Sequence, residues 1–160
     1  MTDKLIPEGF RKLEVTDDFV GLIGPLWCKP DKDERGGDRL RVGLPLEPRH
    51  GNPMGWAHGG LLVTVADMVM GAGSGYATGI LWPHPTVSLS TEFVRGARLG
   101  QWLEGSARIA RRTVNFCFAS CDLVCGGEIV LVASGVFKVP DVDKIPEAAR
   151  AKALAAWRKP

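Results

Sequence analysis

The chain has 160 residues, 45% of them hydrophobic, which suits a single domain with its own core. Twenty basic residues against 18 acidic ones leave a formal charge of +2, without the large basic excess of a nucleic-acid binder. The first ten residues hold no apolar run able to act as a secretion signal, so a cytoplasmic protein is expected.

Residues 1–16 are mixed in character and predict a loosely docked lead-in. Residues 18–28 read as a first strand, bent or at a sheet edge because of its glycines and Pro25. The charged stretch 29–38 ends in Gly36-Gly37 and predicts a turn. Residues 39–46 then alternate polar and apolar as the returning strand of a hairpin. An irregular loop at 48–56 leads into His58-Gly59-Gly60 and the most apolar part of the chain.

Leu61, Leu62, Val63, Val65, Ala66, Met68, Val69 and Met70 leave no polar face, and Asp67 is the one charge among them. A helix apolar all round belongs inside something. Residues 61–82 are about the ~20 needed to span a bilayer, but an acid near the middle, glycines at 71, 73, 75 and 79 and the lack of flanking basic clusters argue for a protein core. The same glycines predict that the helix frays between Gly71 and Thr78.

Four strand-like runs follow, at 86–95, 102–112, 114–125 and 129–139, joined by short turn signals that make them antiparallel neighbours. One long apolar helix and a sheet of about six antiparallel strands wrapped around it give an α+β fold. Cys117, Cys121 and Cys125 are spaced by four on one strand face. At ~13 Å between neighbours they are too far apart for disulfides or a shared metal and are expected to pack as small hydrophobes. Cys28 has no visible partner motif. Residues 1–140 form the expected domain. Residues 141–160, rich in alanine with Ile145, Leu154 and Trp157 as a thin apolar stripe, predict a terminal helical tail.

The start of the central helix offers chemistry. Gly59 and Gly60 leave backbone N–H groups open to a ligand, without intrahelical acceptors and at the positive end of the dipole. Such amides can hold a carbonyl oxygen as it becomes an oxyanion. Asp67 lies eight residues on, about 12 Å along the axis at ~1.5 Å per residue. One copy of the helix cannot place both groups on one reacting carbon, whereas two antiparallel copies across a two-fold axis can.

The run Asn52-x-x-Gly55-x-x-His58-Gly59-Gly60-x-x-x-x-x-Ala66-Asp67 resembles the signature of hotdog-fold acyl-CoA thioesterases of the phenylacetate-pathway (PaaI-like) group. Thr86-Val-Ser-Leu-Ser-Thr-Glu-Phe-Val-Arg95, followed by Ala97-x-Leu99-Gly100, is similar to that family's strand after the helix. The likeness covers roughly residues 18–139, with Gly96 where a proline is common. It implies a hotdog fold, a homodimer with sites at the subunit interface and pairing into a tetramer. It also implies hydrolysis of an acyl-CoA thioester to a carboxylic acid and free CoA. From charge, spacing and the apolar run, no cofactor, metal, nucleic acid or membrane is expected.

The resemblance implies that Asp67 activates water or attacks the thioester directly; a structural carboxylate capping a partner loop is the plain alternative. The Gly59 amide, joined by Gly60, would polarise the carbonyl, unless both glycines only permit tight turning. Asn52 resembles a position that orients substrate or water, or else makes an Asx turn before Pro53. His58 has no nearby carboxylate and is expected to orient the loop by hydrogen bonds instead of serving as a base. Thr86 stands where related enzymes place a hydroxyl beside the attacking water, or is simply a β-branched strand residue; Ser88 and Ser90 are expected on its face.

Arg111 and Arg112 are the first candidates for the coenzyme phosphates, with Arg95 and Arg98 next, each with a solvated surface charge as its alternative. Trp56, Met68, Met70, Trp82 and Phe93 are expected to line the acyl pocket, and the acyl group itself stays open. No phosphate-cradling glycine loop is visible, and His50, His58 and His84 follow no zinc pattern. A hotdog hydratase or dehydratase and a non-catalytic acyl-CoA-binding module are the rival readings.

Overall fold

A computed structural model describes residues 2–14 and 18–158, with side chains described for 4–14 and 18–153. The elements run β1 (Arg11–Lys12), α1 (Asp18–Ile23), β2 (Trp27–Lys32), β3 (Asp38–Pro45), α2 (Gly59–Thr78), β4 (Thr86–Phe93), β5 (Trp102–Arg112), β6 (Phe116–Cys125), β7 (Glu128–Lys138) and α3 (Glu147–Arg158). Seven strands form one sheet in the order β1-β2-β3-β5-β6-β7-β4, antiparallel throughout. The hairpins β5–β6–β7 follow from their short turns, whereas the chain crosses the sheet through α2 and brings β4 to the edge beside β7. A long helix wrapped by an antiparallel sheet is the hotdog arrangement.

The wrapping follows from the side-chain pattern of α2. Leu62, Val65, Ala66, Val69, Met70 and Gly73 are buried and recur at helical spacing, so they form one stripe against the sheet. The sheet answers with Val42, Leu44, Leu103, Cys121, Leu123, Leu131, Ala133 and Phe137, all at most 1% exposed. The opposite face of α2, with Gly60, Val63, Thr64, Asp67 and Gly71, is uncovered or half-covered within one chain. The expectation of a helix enclosed on all sides is therefore corrected: one chain covers only half of it. Asp67 is half-buried, not sunk among Leu, Val and Met.

Three further expectations are corrected. Residues 18–23 form a helix and the strand begins only at Trp27; Phe19, Val20, Leu22 and Ile23 supply an apolar pattern of helical spacing. The lead-in is docked: β1 pairs with β2, Leu13 is buried, and Phe10 meets Trp102 edge-on at 5.0 Å. It adds the strand beyond the expected six.

The helix also does not fray at its glycines. It runs to Thr78 and ends at Gly79, whose left-handed φ of 73° suits glycine. Within it Gly73 marks a close approach, since a Cβ there would lie 2.4 Å from the Ala107 Cβ on β5.

The four cysteines are buried and free. Burial, helped by the Asp122 carboxylate, pushes the Cys121 thiol up to about 12, so it stays an inert thiol. Ile145 packs down ahead of α3, while the side chains of Leu154 and Trp157 lie outside the described residues. Among the described residues no helix is long and apolar enough to cross a membrane.

The contact at Gly73 sets an expectation. Gly73→Ala should cost about 1–3 kcal/mol by forcing α2 off β5, seen as a lower urea midpoint with an unchanged slope. An unchanged midpoint would show that the two elements separate freely.

Candidate functional site

The loop before α2 is shaped by its own polar side chains. Asn52 Oδ1 accepts from the Met54 and Trp56 amides at 2.9 and 3.2 Å, and the Asn52 amide donates to the Trp56 carbonyl. This is the Asx turn, and it spends the side-chain oxygen on the loop. His58 is the N-cap of α2: its Nδ1 accepts from the Gly60 amide at 2.9 Å, which leaves the proton of the neutral ring on Nε2. The His58 amide donates to the His50 carbonyl.

These bonds sort the donors at the helix start. The Gly60 N–H belongs to His58, which removes it from the expected pair of oxyanion donors. The Gly59 N–H has no partner among the described residues. The Phe93 ring lies beside it, with Cε1 and Cζ 3.2 and 3.3 Å from where a Gly59 Cβ would stand.

About two turns along the helix, Thr86 Oγ1 donates to Asp67 Oδ1 at 2.6 Å. This joins two candidates that are 19 residues apart in sequence, and it leaves Oδ2 of the carboxylate free to act. A bulge at the start of β4 makes the contact possible. Thr86 pairs with Phe137 and Ser88 with Val136, so the register slips by one residue between them. Thr86 therefore shares the helix side with Leu89, Thr91 and Phe93, whose partners Gly135, Ala133 and Leu131 line the core side. Ser88 and Ser90 face the other way, against expectation.

His84 secures the approach to Thr86. Its Nδ1–H donates to the Trp82 carbonyl at 2.8 Å, and its Nε2 meets the Thr78 hydroxyl at 3.1 Å, which ties the start of β4 to the last turn of α2.

The structure does not bring Gly59 and Asp67 of one chain together, because both lie on the same unbroken helix, about 12 Å apart along it. Arg111 and Arg112 lie at the far end of β5, exposed and without an ion pair among the described residues. Arg95 instead pairs with Glu128, and Arg98 lies over the Trp56 ring. Met68 is half-buried beside the core. Met70 is fully buried against the sheet, which removes it from the expected pocket lining.

A cleft of about 400 Å³ opens at the start of α2, lined by α1, by Arg49 to Gly51, and by His58, Gly60, Leu61 and Thr64. The sequence reading missed it because it took residues 18–28 for a strand. Glu47-Pro48-Arg49-His50 was a usable signal, since it forms a capping box with proline in the first turn.

A family model described as the thioesterase superfamily matches residues 54–132. The Pseudomonas aeruginosa protein PA0474, provisionally named an esterase, is 37% identical over 135 residues, covering 84% of this chain and 98% of its own. A phenylacetic acid degradation-related protein of Ralstonia eutropha JMP134 superposes with a TM-score of 0.65 at 24% identity, over 78% of this chain and 92% of its own. The Bacillus halodurans protein BH2602, solved with CoA, superposes with a TM-score of 0.61 at 23% identity, over 80% and 82%.

Two buried histidines make stability depend on pH. Burial lowers the pKa of both His50 and His84, with the charge of Arg49 adding to the first and of Arg112 to the second. A lowered folded-state pKa means that the unfolded chain takes up protons first, so stability is full above the unfolded value of ~6.5 and is lost as pH falls below it. The urea midpoint should fall between pH 8 and pH 5, and less so in His84→Asn. An equal fall in that variant would remove His84 as a source.

Proposed function

The chain belongs to the thioesterase superfamily, and from that premise we propose that it hydrolyses acyl-CoA thioesters at composite sites shared by two antiparallel copies of α2. The observation that carries the reading is the pairing of a hydroxyl-held carboxylate at 67 with an unclaimed amide at 59 on one helix, too far apart to meet within a chain. The uncovered face of α2 and the unpaired outer edge of β4 are where a second copy would sit. Two such dimers pairing into a tetramer belong to the same proposal.

In this reading the thioester carbonyl oxygen points at the N–H of Gly59 of the partner subunit. Asp67 supplies the other half of the reaction. As base it takes a proton from water while the water oxygen bonds to the carbonyl carbon; charge gathers on the carbonyl oxygen, the C–S bond breaks, and the thiolate leaves with the proton. As nucleophile its oxygen bonds to the carbonyl carbon, the C–S bond breaks and the CoA thiolate leaves. Water then cleaves the resulting anhydride, which frees the carboxylate of Asp67 and supplies the proton that the thiolate takes. Both routes end in a carboxylic acid and free CoA. Thr86 holds the carboxylate in the rotamer that either route needs, and Asn52 and His58 hold the loop that presents the amide. Phe93 and Met68 border the reacting end, and Arg111 with Arg112, which have no ion pair among the described residues, would meet the coenzyme phosphates.

Release of free thiol from a panel of acyl-CoA substrates tests this. The parent should liberate CoA. Asp67→Ala should lose about 10²–10⁴-fold in kcat while keeping its fold, and Thr86→Val should lose less. A hydratase or a binding module would liberate no CoA, and an Asp67→Ala protein as fast as the parent would remove the carboxylate from the mechanism.

A further inference from the structure

The cleft beside the helix start has a short helix as one wall, seated on the core by Val20. α1 is six residues long, far below the length at which a helix persists alone. Its last carbonyls are instead taken up by two side chains from another part of the chain. Arg49 donates through Nη1 to the Leu22 carbonyl at 3.0 Å and through Nη2 to the Gly24 carbonyl. Buried His50 donates through Nε2 to the Ile23 carbonyl at 2.9 Å, and its Nδ1 accepts from the Glu47 amide at 2.9 Å. Three consecutive carbonyls are thus clasped by two adjacent residues, and Glu47 holds Arg49 in turn at 2.8 Å.

We infer that Arg49 and His50 are positioning residues that set acyl-chain selectivity, by clasping α1 as the wall of a cleft that takes the acyl chain of a medium-chain thioester. This rests on the thioesterase reading above. The cleft is continuous with the reacting end, because His58 and Gly60 belong both to its lining and to the turn that presents the Gly59 amide.

Its lining is polar on one side, with Arg49, His50, His58 and Thr64, and apolar on the other, where Phe19, Leu22, Ile23 and Leu61 offer a surface to an acyl chain. Leu22 is 71% exposed. The one Lys or Arg in the lining, Arg49, is already met by Glu47 and two carbonyls. At about 400 Å³ the space falls within the range of small-molecule pockets and far exceeds the needs of an acetyl group. Arginine is needed at 49 because its fork spans two carbonyls and a carboxylate at once, which a lysine ammonium cannot.

The test compares parent, Arg49→Met, Arg49→Lys and Leu22→Trp proteins with acetyl-CoA and octanoyl-CoA. The octanoyl-to-acetyl ratio of kcat/KM should fall at least ~10-fold in Arg49→Met, through KM for octanoyl-CoA, and lysine should not restore it. Leu22→Trp, at an exposed position that leaves the clasp intact, should lower the ratio by filling the cleft. Ratios within about twofold of the parent in both would overturn the inference while leaving the thioesterase reading standing. Hydrogen exchange separates the two without turnover when Asp67→Ala is the background: octanoyl-CoA should protect the amides of residues 19–24 in Asp67→Ala and not in Asp67→Ala with Arg49→Met. No protection in Asp67→Ala with Arg49 intact would overturn the inference whether or not the protein is an enzyme.

Discussion

The stripe Leu62, Val65, Ala66, Val69, Met70 and Gly73 clamps α2 to the sheet, and this burial fixes which side chains the helix can offer elsewhere. Once that stripe faces inward, helical geometry turns Gly60, Val63, Thr64 and Asp67 outward. The stripe runs along a helix unbroken from Gly59 to Thr78, with Gly73 packed closely on Ala107. The separation of the helix-start amide from the carboxylate is then as rigid as the helix itself. A site that uses both groups therefore draws on two chains.

Around this frame the polar side chains divide their labour. Asn52 and His58 spend their acceptors on the loop and on the Gly60 amide, and at the helix start the Gly59 amide is left without a partner among the described residues. Thr86 reaches Asp67 only because the bulge in β4 turns it to the helix side, and His84 ties that strand's approach to the end of α2. Arg49 and His50 do for α1 what its length cannot. The buried histidines are neutral hydrogen-bonding pieces of this frame, which explains why burial lowers their proton affinity without harm at neutral pH.

The helix, the four long strands after it and the returning strand β3 were legible because their patterns are long and periodic. The separation of Gly59 from Asp67 along one helix was legible because helix rise is a constant. What failed were short-range decisions settled by tertiary contact. Residues 18–23 show a helical spacing over less than two turns, too short to outweigh a strand reading. Their helix is held by Val20 in the core and by Arg49 and His50 from beyond the next hairpin. The glycines of α2 look like helix breakers by propensity, yet packing against β5 outweighs it. The bulge that separates Thr86 from Ser88 and Ser90 is one extra residue in a strand, which simple alternation cannot reveal. Met70 and Met68 are indistinguishable in sequence, and only the angle of the helix on the sheet sends one to the core.

The most direct measurement is complementation between two inactive subunits. Gly59→Pro deletes the N–H at the first helical position, where proline is tolerated, and His58 already has the extended φ of −63° and ψ of 135° that a following proline requires. Asp67→Ala deletes the carboxylate and keeps the amide. Each variant alone should be inactive, and after unfolding and refolding together about a quarter of the parental thiol release should return, because each mixed dimer regains one intact site. A mixture as inactive as its components, with mixed dimers shown to form, would contradict the shared site.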